Sequence, residues 1–234
     1  MGGLAGGGVV TPSQANATLG TPLYLLHCTP CHGNKGQGVD TPDLIQATPC
    51  PRHAGRRGGG RAGKERGSMH EKRFPGRPAM LRSPHRVELL EVERVIGLCL
   101  EAMPARSVLD VGTGTGLFAE GFAARGLQVA GIDANPAMIE AARRLVPEGR
   151  FRHAPAEVVP HPDGAFDLVF MGLVLHETDD PAQALREARR VARLGAAVLE
   201  WRYRVEGYGP PPEHRLKPEH LQALALEAGF TEVE

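Results

Sequence analysis

From Ser107 onward the chain alternates short apolar runs with amphipathic ones, and the connections between them are only a few residues long. "SVLDV", "QVAGIDA" and "FDLVFMG" read as strands, "RFRHAPAE" as a weaker one, and "AAVLEWRYR" as a fifth. "GLFAEGFAARG", "NPAMIEAARRLVPEG", "DPAQALREARRVARLG" and "KPEHLQALALEAGF" read as helices, with Asn-Pro and Asp-Pro marking two of the starts. Strand–helix alternation with short links predicts parallel strands and right-handed crossovers. The expected fold is therefore α/β: a three-layer, doubly wound, mostly parallel, Rossmann-like sheet. Ligands of such sheets sit beyond the carboxyl ends of the strands.

The rest of the chain follows different rules. Residues 1–68 hold three acids against seven Lys and Arg, half of the 30 glycines, and three of the four cysteines. Their Gly/Arg run, "PRHAGRRGGGRAGKERGS", cannot build a core, and the whole of 1–68 is expected to be largely irregular. Residues 69–106 form a helical lid in this reading, with amphipathic spacing in "PHRVELLEVERVIGLCLEAM", and 107–234 form the ligand-binding domain. The formal net charge is zero, so no global field favours nucleic acid or a membrane surface. No apolar run reaches the roughly 20 residues of a membrane span. Cys99 falls in an apolar helical pattern, as a buried thiol in a reducing cytoplasm would.

"SVLDVGTGTG" carries the most chemistry. A phosphate-binding P-loop would end in Gly-Lys-Ser/Thr, and "GTGTGLF" has no lysine. Gly112, Gly114 and Gly116 are spaced one residue tighter than the dinucleotide fingerprint requires, which disfavours an NAD-dependent dehydrogenase. Asp110 ends the first strand and Asp133 the second, 23 residues later. A carboxylate at Asp133 suits ribose hydroxyls, and an acid beside the loop suits a cation better than a pyrophosphate. S-adenosylmethionine, with a sulfonium, an amino-acid end and a ribose, fits this pattern.

The blocks "VLDVGTGTG", "GIDANPAMIEAAR", "PDGAFDLVFMGLVLHETDDP", "REARRV", "LEWR" and "HRLKPEHLQALALEAGF" together resemble class I S-adenosylmethionine-dependent methyltransferases, of the quinone- and sterol-type branch. The resemblance covers residues 69–234. It implies that Gly112, Gly114 and Gly116, with Thr113 between them, line the methionine moiety. Asp110 would lie near the amino group, and Asp133 would hold the ribose. Ala134 and Met138 would border the adenine, Ala156 would read it through its backbone, and Glu157 and Met171 would complete the cofactor-binding set. Similar enzymes place Asp-Ala-Glu after the third strand; here Pro155 stands at the Asp position. The Pro-Gly-Gly turn usual before the fifth strand is expected to shrink to Gly195 alone. Such enzymes also add an antiparallel seventh strand, so a chain stopping at "FTEVE" predicts an incomplete sheet and poor solubility.

Methyl transfer needs in-line placement more than acid–base help. His176, just past the fourth strand, is the candidate base. Phe74, Arg82, His176, His214 and Arg215 are candidate contacts for a small-molecule acceptor whose identity the residues do not specify. Two other classes remain open: a non-catalytic S-adenosylmethionine-binding domain, and an electron-transfer protein governed by the N-terminal motif.

That motif, "LYLLHCTPCHGNKGQGVD", resembles the haem-attachment segment of a c-type cytochrome. Cys28 and Cys31 would form the thioethers and His32 would be the axial ligand. Three readings stand: a haem-bearing arm, some other metal bound by Cys28, Cys31 and His32, or a cytochrome remnant joined ahead of a natural start at Met69. The last is favoured, with neither haem nor another metal expected. The purine-rich coding possible for "GKERGSM" is compatible with a ribosome site ahead of Met69.

Overall fold

The structure is a computed structural model, and it describes residues 22–27, 78–205 and 207–233. Seven strands form one sheet: β1 (Pro22–His27), β2 (Ser107–Val111), β3 (Gln128–Asp133), β4 (Arg150–His153), β5 (Phe166–Gly172), β6 (Ala192–Glu200) and β7 (Glu232–Val233). The order across it is β4-β3-β2-β5-β6-β1-β7, and every adjacent pair is parallel. The helices are α1 (Pro84–Leu89), α2 (Val92–Ala102), α3 (Leu117–Ala124), α4 (Pro136–Leu145), α5 (Pro181–Val191) and α6 (Pro218–Glu227). Strand and helix alternate from β2 to β4 and again from β5 to β7, the doubly wound α/β arrangement the sequence predicts.

Period-two side-chain alternation splits the central strands between two cores. Leu109, Val111, Val169 and Met171 face one layer with Leu185, Ala188 and Leu221 from α5 and α6. Val108, Leu168 and Phe170 face the other, with Ile96, Phe118 and Phe122 from α2 and α3. Local signals set the helix starts. Ser83, Asn135 and Asp180 each accept a backbone N–H from the first turn, at 3.3, 3.0 and 2.9 Å, and each precedes a proline.

Four features differ from the sequence-based expectation. The amphipathic stretch after Pro84 is two helices, because Glu91 takes a left-handed conformation (φ 45°) between them. The fifth strand of the alternation begins directly at Ala192 rather than after a turn at Gly195, which pairs with Leu168 inside the ladder. Arg193 reaches back to Asp167, and Asp167 also accepts the Ser107 N–H, so the chain is held extended there. That strand stops at Glu200, not at Arg204. Pro22–His27, placed in the irregular segment by composition, is a strand between β6 and β7, with Leu23 fully buried. Its apolar run is suited to a slot bonded on both sides, a signal that the glycine-rich surroundings mask. The sheet thus has a seventh strand, contributed in parallel by the N-terminal part.

Candidate functional site

The strand order reverses between β2 and β5, and the loops leaving β2, β3, β4 and β5 converge at their carboxyl ends. They enclose a cavity of about 330 Å3, capped by Leu81 and Arg86 from the N-terminal side. Gly112, Gly114 and Gly116 all have positive φ (70°, 54° and 79°), which explains the repeated glycine. Gly112 and Gly114 form the cavity wall; a Cβ on Gly112 would lie 2.4 Å from Val174. Gly116 faces Val146 and Ala142 instead, where it begins α3.

Asp133 closes β3 and lines the cavity. Its Oδ2 accepts the Gly114 N–H and its Oδ1 the Asn135 N–H, both at 2.8 Å. The carboxylate therefore ties the glycine loop to the end of β3. Asp110 sits elsewhere. It shares the Val108 face of β2, is 2% exposed, and accepts the Thr113 hydroxyl at 2.7 Å. Burial pushes its pKa up to about 7, against the lowering effect of the Thr113 bond and the Ala119 N–H. Thr113 itself is buried, with its N–H donated to Ile132. Asp110 and Thr113 thus support the loop from beneath.

Ala134 and Met138, at the start of α4, line one side of the cavity with Ala154, Pro155, Ala156 and Glu157. Glu157 Oε1 accepts the N–H groups of Asp179 and Asp180 at 2.9 and 3.3 Å, joining the loops after β4 and β5. The opposite wall is Gly172, Leu173, Val174, Glu177 and Thr178. Leu173 is held at φ 58°, its N–H donated to Leu199, and for so bulky a residue this is stored strain at the site.

Several candidates lie outside the wall. Met171 is fully buried in the core. Arg82 donates from Nε to the Thr115 hydroxyl (3.2 Å) and from Nη2 to the Thr115 carbonyl (3.0 Å), and pairs with Glu120. It ties the segment before α1 to the loop after β2 and to α3. Arg215 is 5% exposed and donates to the carbonyls of Pro210, Arg202, Arg204 and Tyr208, fixing the segment after β6. His214 is half-buried in the short turn before it. The His176 ring stands behind the wall, with Nδ1 2.9 Å from Glu200 Oε2. Phe74, Cys28, Cys31, His32 and Met69 lie outside the described residues. Among the described residues, no cluster of His, Cys, Asp and Glu is arranged to hold a metal ion.

Sequence reasoning missed Arg86, Thr178 and Glu177. The adjacency of Glu177 to His176 in "LHET" was the available signal.

The glycine cradle, the Asp133 carboxylate and the apolar wall at Met138 and Ala156 suit the sulfonium nucleoside expected from the sequence. Residues 109–199 match the family described as Methyltransferase domain. A malonyl-[acyl-carrier protein] O-methyltransferase of Serratia marcescens is 36% identical over 107 residues, 46% of this chain and 42% of that one. A demethylmenaquinone methyltransferase of Renibacterium salmoninarum is 31% identical over 117 residues, 50% of this chain and 49% of that one. The chain thus spans about half the length of the curated relatives it matches. The crystal structure of a SAM-dependent methyltransferase from Aquifex aeolicus superimposes with a TM-score of 0.58 at 28% identity, covering 65% of this chain and 86% of that one. Residues 109–199 thus match a methyltransferase-domain family, and the fold is similar to that of a SAM-dependent methyltransferase.

Proposed function

We propose that this protein transfers a methyl group from S-adenosylmethionine to a small-molecule acceptor by in-line displacement. The observation that carries the reading is the Asp133 carboxylate bound to the Gly114 N–H, which puts a ribose-binding acid and a Cβ-free loop on one cavity wall. Bound S-adenosylmethionine supplies an activated methyl on a sulfonium. The chain's own tasks are to orient it and to exclude water. Gly112 and Gly114 give the methionine end close backbone approach. Asp133 accepts from the ribose, Ala134, Met138 and Ala156 flank the adenine, and Glu157 holds two cavity loops together. Asp110, Thr113, Gly116 and Met171 serve the same site from behind.

The acceptor would enter over the loop after β5, beneath the lid that contains Leu81 and Arg86. A quinone- or sterol-type acceptor is the finer reading; similarity to the demethylmenaquinone enzyme over residues of the same domain supports it. A cytoplasmic site of action is supported by Cys99, a free, buried thiol whose pKa burial pushes up to about 12. Among the described residues no helix is long and apolar enough to cross a membrane. Neither haem nor a resident metal has a role in this reading.

Calorimetric titration with S-adenosylmethionine tests it. The wild type is expected to bind, and Asp133→Ala to bind at least about tenfold more weakly, the loss expected when a charged hydrogen-bond acceptor is removed. A wild-type protein that does not bind S-adenosylmethionine overturns the proposal.

A further inference from the structure

Three ionisable side chains run in a row from the end of β6 to the cavity, and cofactor binding uses none of them. Glu200 is 2% exposed. Its Oε1 accepts the His176 N–H at 3.3 Å, and its Oε2 lies 2.9 Å from His176 Nδ1. The second ring nitrogen, Nε2, is 3.7 Å from Glu177 Oε1. Glu177 stands in the cavity wall with Val174 and Thr178. An imidazole thus lies between two carboxylates, one sealed in the fold and one on a residue of the cavity wall.

Burial alone would favour the neutral ring. The Glu200 hydrogen bond and charge, with Glu177 added, outweigh it and raise the His176 pKa, while the nearby Arg215 guanidinium opposes them. With Glu200 at Nδ1, the ring presents its Nε2 edge to Glu177. The other two carboxylates of the wall have different tasks. Asp133 accepts the Gly114 and Asn135 N–H groups, and Glu157 those of Asp179 and Asp180. The His176 side chain is only 4% exposed, whereas that of Glu177 is 27% exposed.

We propose that Glu177 is the acceptor-side catalytic base, and that His176 and Glu200 are positioning residues that hold its carboxylate toward the cavity. The proposal rests on the methyl-transfer reading. It also sets the acceptor class: an uncharged O–H or N–H nucleophile such as an enol or the phenol of a reduced quinone, since a carboxylate acceptor would be repelled by Glu177. In the step, the acceptor's lone pair forms the bond to the methyl carbon while the carbon–sulfur bond breaks toward sulfur. The acceptor's proton passes to Glu177. Sulfonium and carboxylate become neutral thioether and carboxylic acid, so charge and atoms balance.

Two nucleosides test this without knowledge of the acceptor. Sinefungin carries an ammonium group where the methyl donor has its methyl, and S-adenosylhomocysteine carries nothing there. Calorimetry is expected to give the wild type about tenfold preference for sinefungin, the value of one charge-assisted contact. Glu177→Gln should remove most of that preference and leave S-adenosylhomocysteine affinity within about twofold, since only the ammonium meets the carboxylate. His176→Asn should lower the ratio severalfold, a change that a ring serving only as packing would not produce. An unchanged ratio in Glu177→Gln overturns this assignment alone. A wild type that binds neither nucleoside overturns the methyl-transfer reading and this one with it.

Discussion

Replacing Gly112 by alanine should damage the fold and the site together, and a second glycine separates the two causes. Gly112 has φ 70°, and an added Cβ would lie 2.4 Å from Cγ2 and 2.6 Å from Cβ of Val174, closer than real contacts allow. Gly126 has φ 83° and nothing within 4 Å of its would-be Cβ. Both substitutions force an L side chain into the left-handed region, at about 1–2 kcal/mol. Only Gly112→Ala also overpacks its neighbourhood, adding about 1–3 kcal/mol. Gly126→Ala should therefore cost about 1–2 kcal/mol and Gly112→Ala about 2–5 kcal/mol, by the sum of those two effects. Urea unfolding followed by the fluorescence of Trp201, the only tryptophan and 4% exposed, measures both. Because Val174 and Gly112 share the cavity wall, the same variant should also weaken S-adenosylmethionine binding, which Gly126→Ala should leave intact. Equal destabilisation by the two substitutions would refute the close approach of the β2 and β5 loops.

Asp110→Asn should raise stability above neutral pH. The folded-state pKa is raised from 3.8 to about 7, so the stabilising protonated form is fully favourable below the unfolded value and is lost as pH climbs from about 4 to 7. Asparagine keeps an acceptor for Thr113 without the buried charge. Its gain over wild type should grow across that window, by up to about 4 kcal/mol at pH 8, in urea titrations at pH 4 and pH 8. Removing residues 1–68 should cost more than about 3 kcal/mol, since it takes out a fully buried Leu23 and opens strand edges on β6 and β7. Melting and light scattering on residues 69–234 read the loss and the self-association; an equally stable, monodisperse fragment would show that β1 is dispensable and support a natural start at Met69.

The alternation of β2 through α6 was legible because it is local. Asn-Pro and Asp-Pro at two helix starts, and apolar β-branched strands, need no distant partner to be read. Asp133 was likewise legible, as an acid at a strand end. Asp110 was misread although its parity was available: it lies two residues from Val108, so it points into the layer with α2 and α3 rather than toward the cavity. Arg82, Arg215 and His176 were read as acceptor contacts because each is polar and near the right loops. Their partners, Thr115, four loop carbonyls and Glu200, are set by tertiary folding and leave no trace in spacing. The strand at Pro22–His27 was hidden for a different reason. A short apolar run is ambiguous alone, and here its slot is formed by strands more than 160 residues later.

Acids tie the loop tips together on both sides of the reversal of strand order between β2 and β5. Loops leaving β2 and β3 belong to one half of the sheet and those leaving β5 and β6 to the other, so no hydrogen-bond ladder joins their tips. Carboxylates tie neighbouring loops together instead, Glu157 across the two halves and Asp133 and Glu200 within them. Asp133 takes an N–H from the β2 loop onto β3, Glu157 takes two from the β5 loop onto the β4 side, and Glu200 takes one from the β5 loop onto β6. Each bridge fixes backbone with a charged acceptor, which is stronger than a neutral one. The two sides then differ in what the acid meets. On the β2–β3 side Asp133 itself lines the cavity. On the β5–β6 side Glu200 meets the His176 ring, and Glu177 beyond that ring lines the cavity. In the proposed reading, one half of the switch point holds the nucleoside and the other holds a carboxylate toward whatever approaches it.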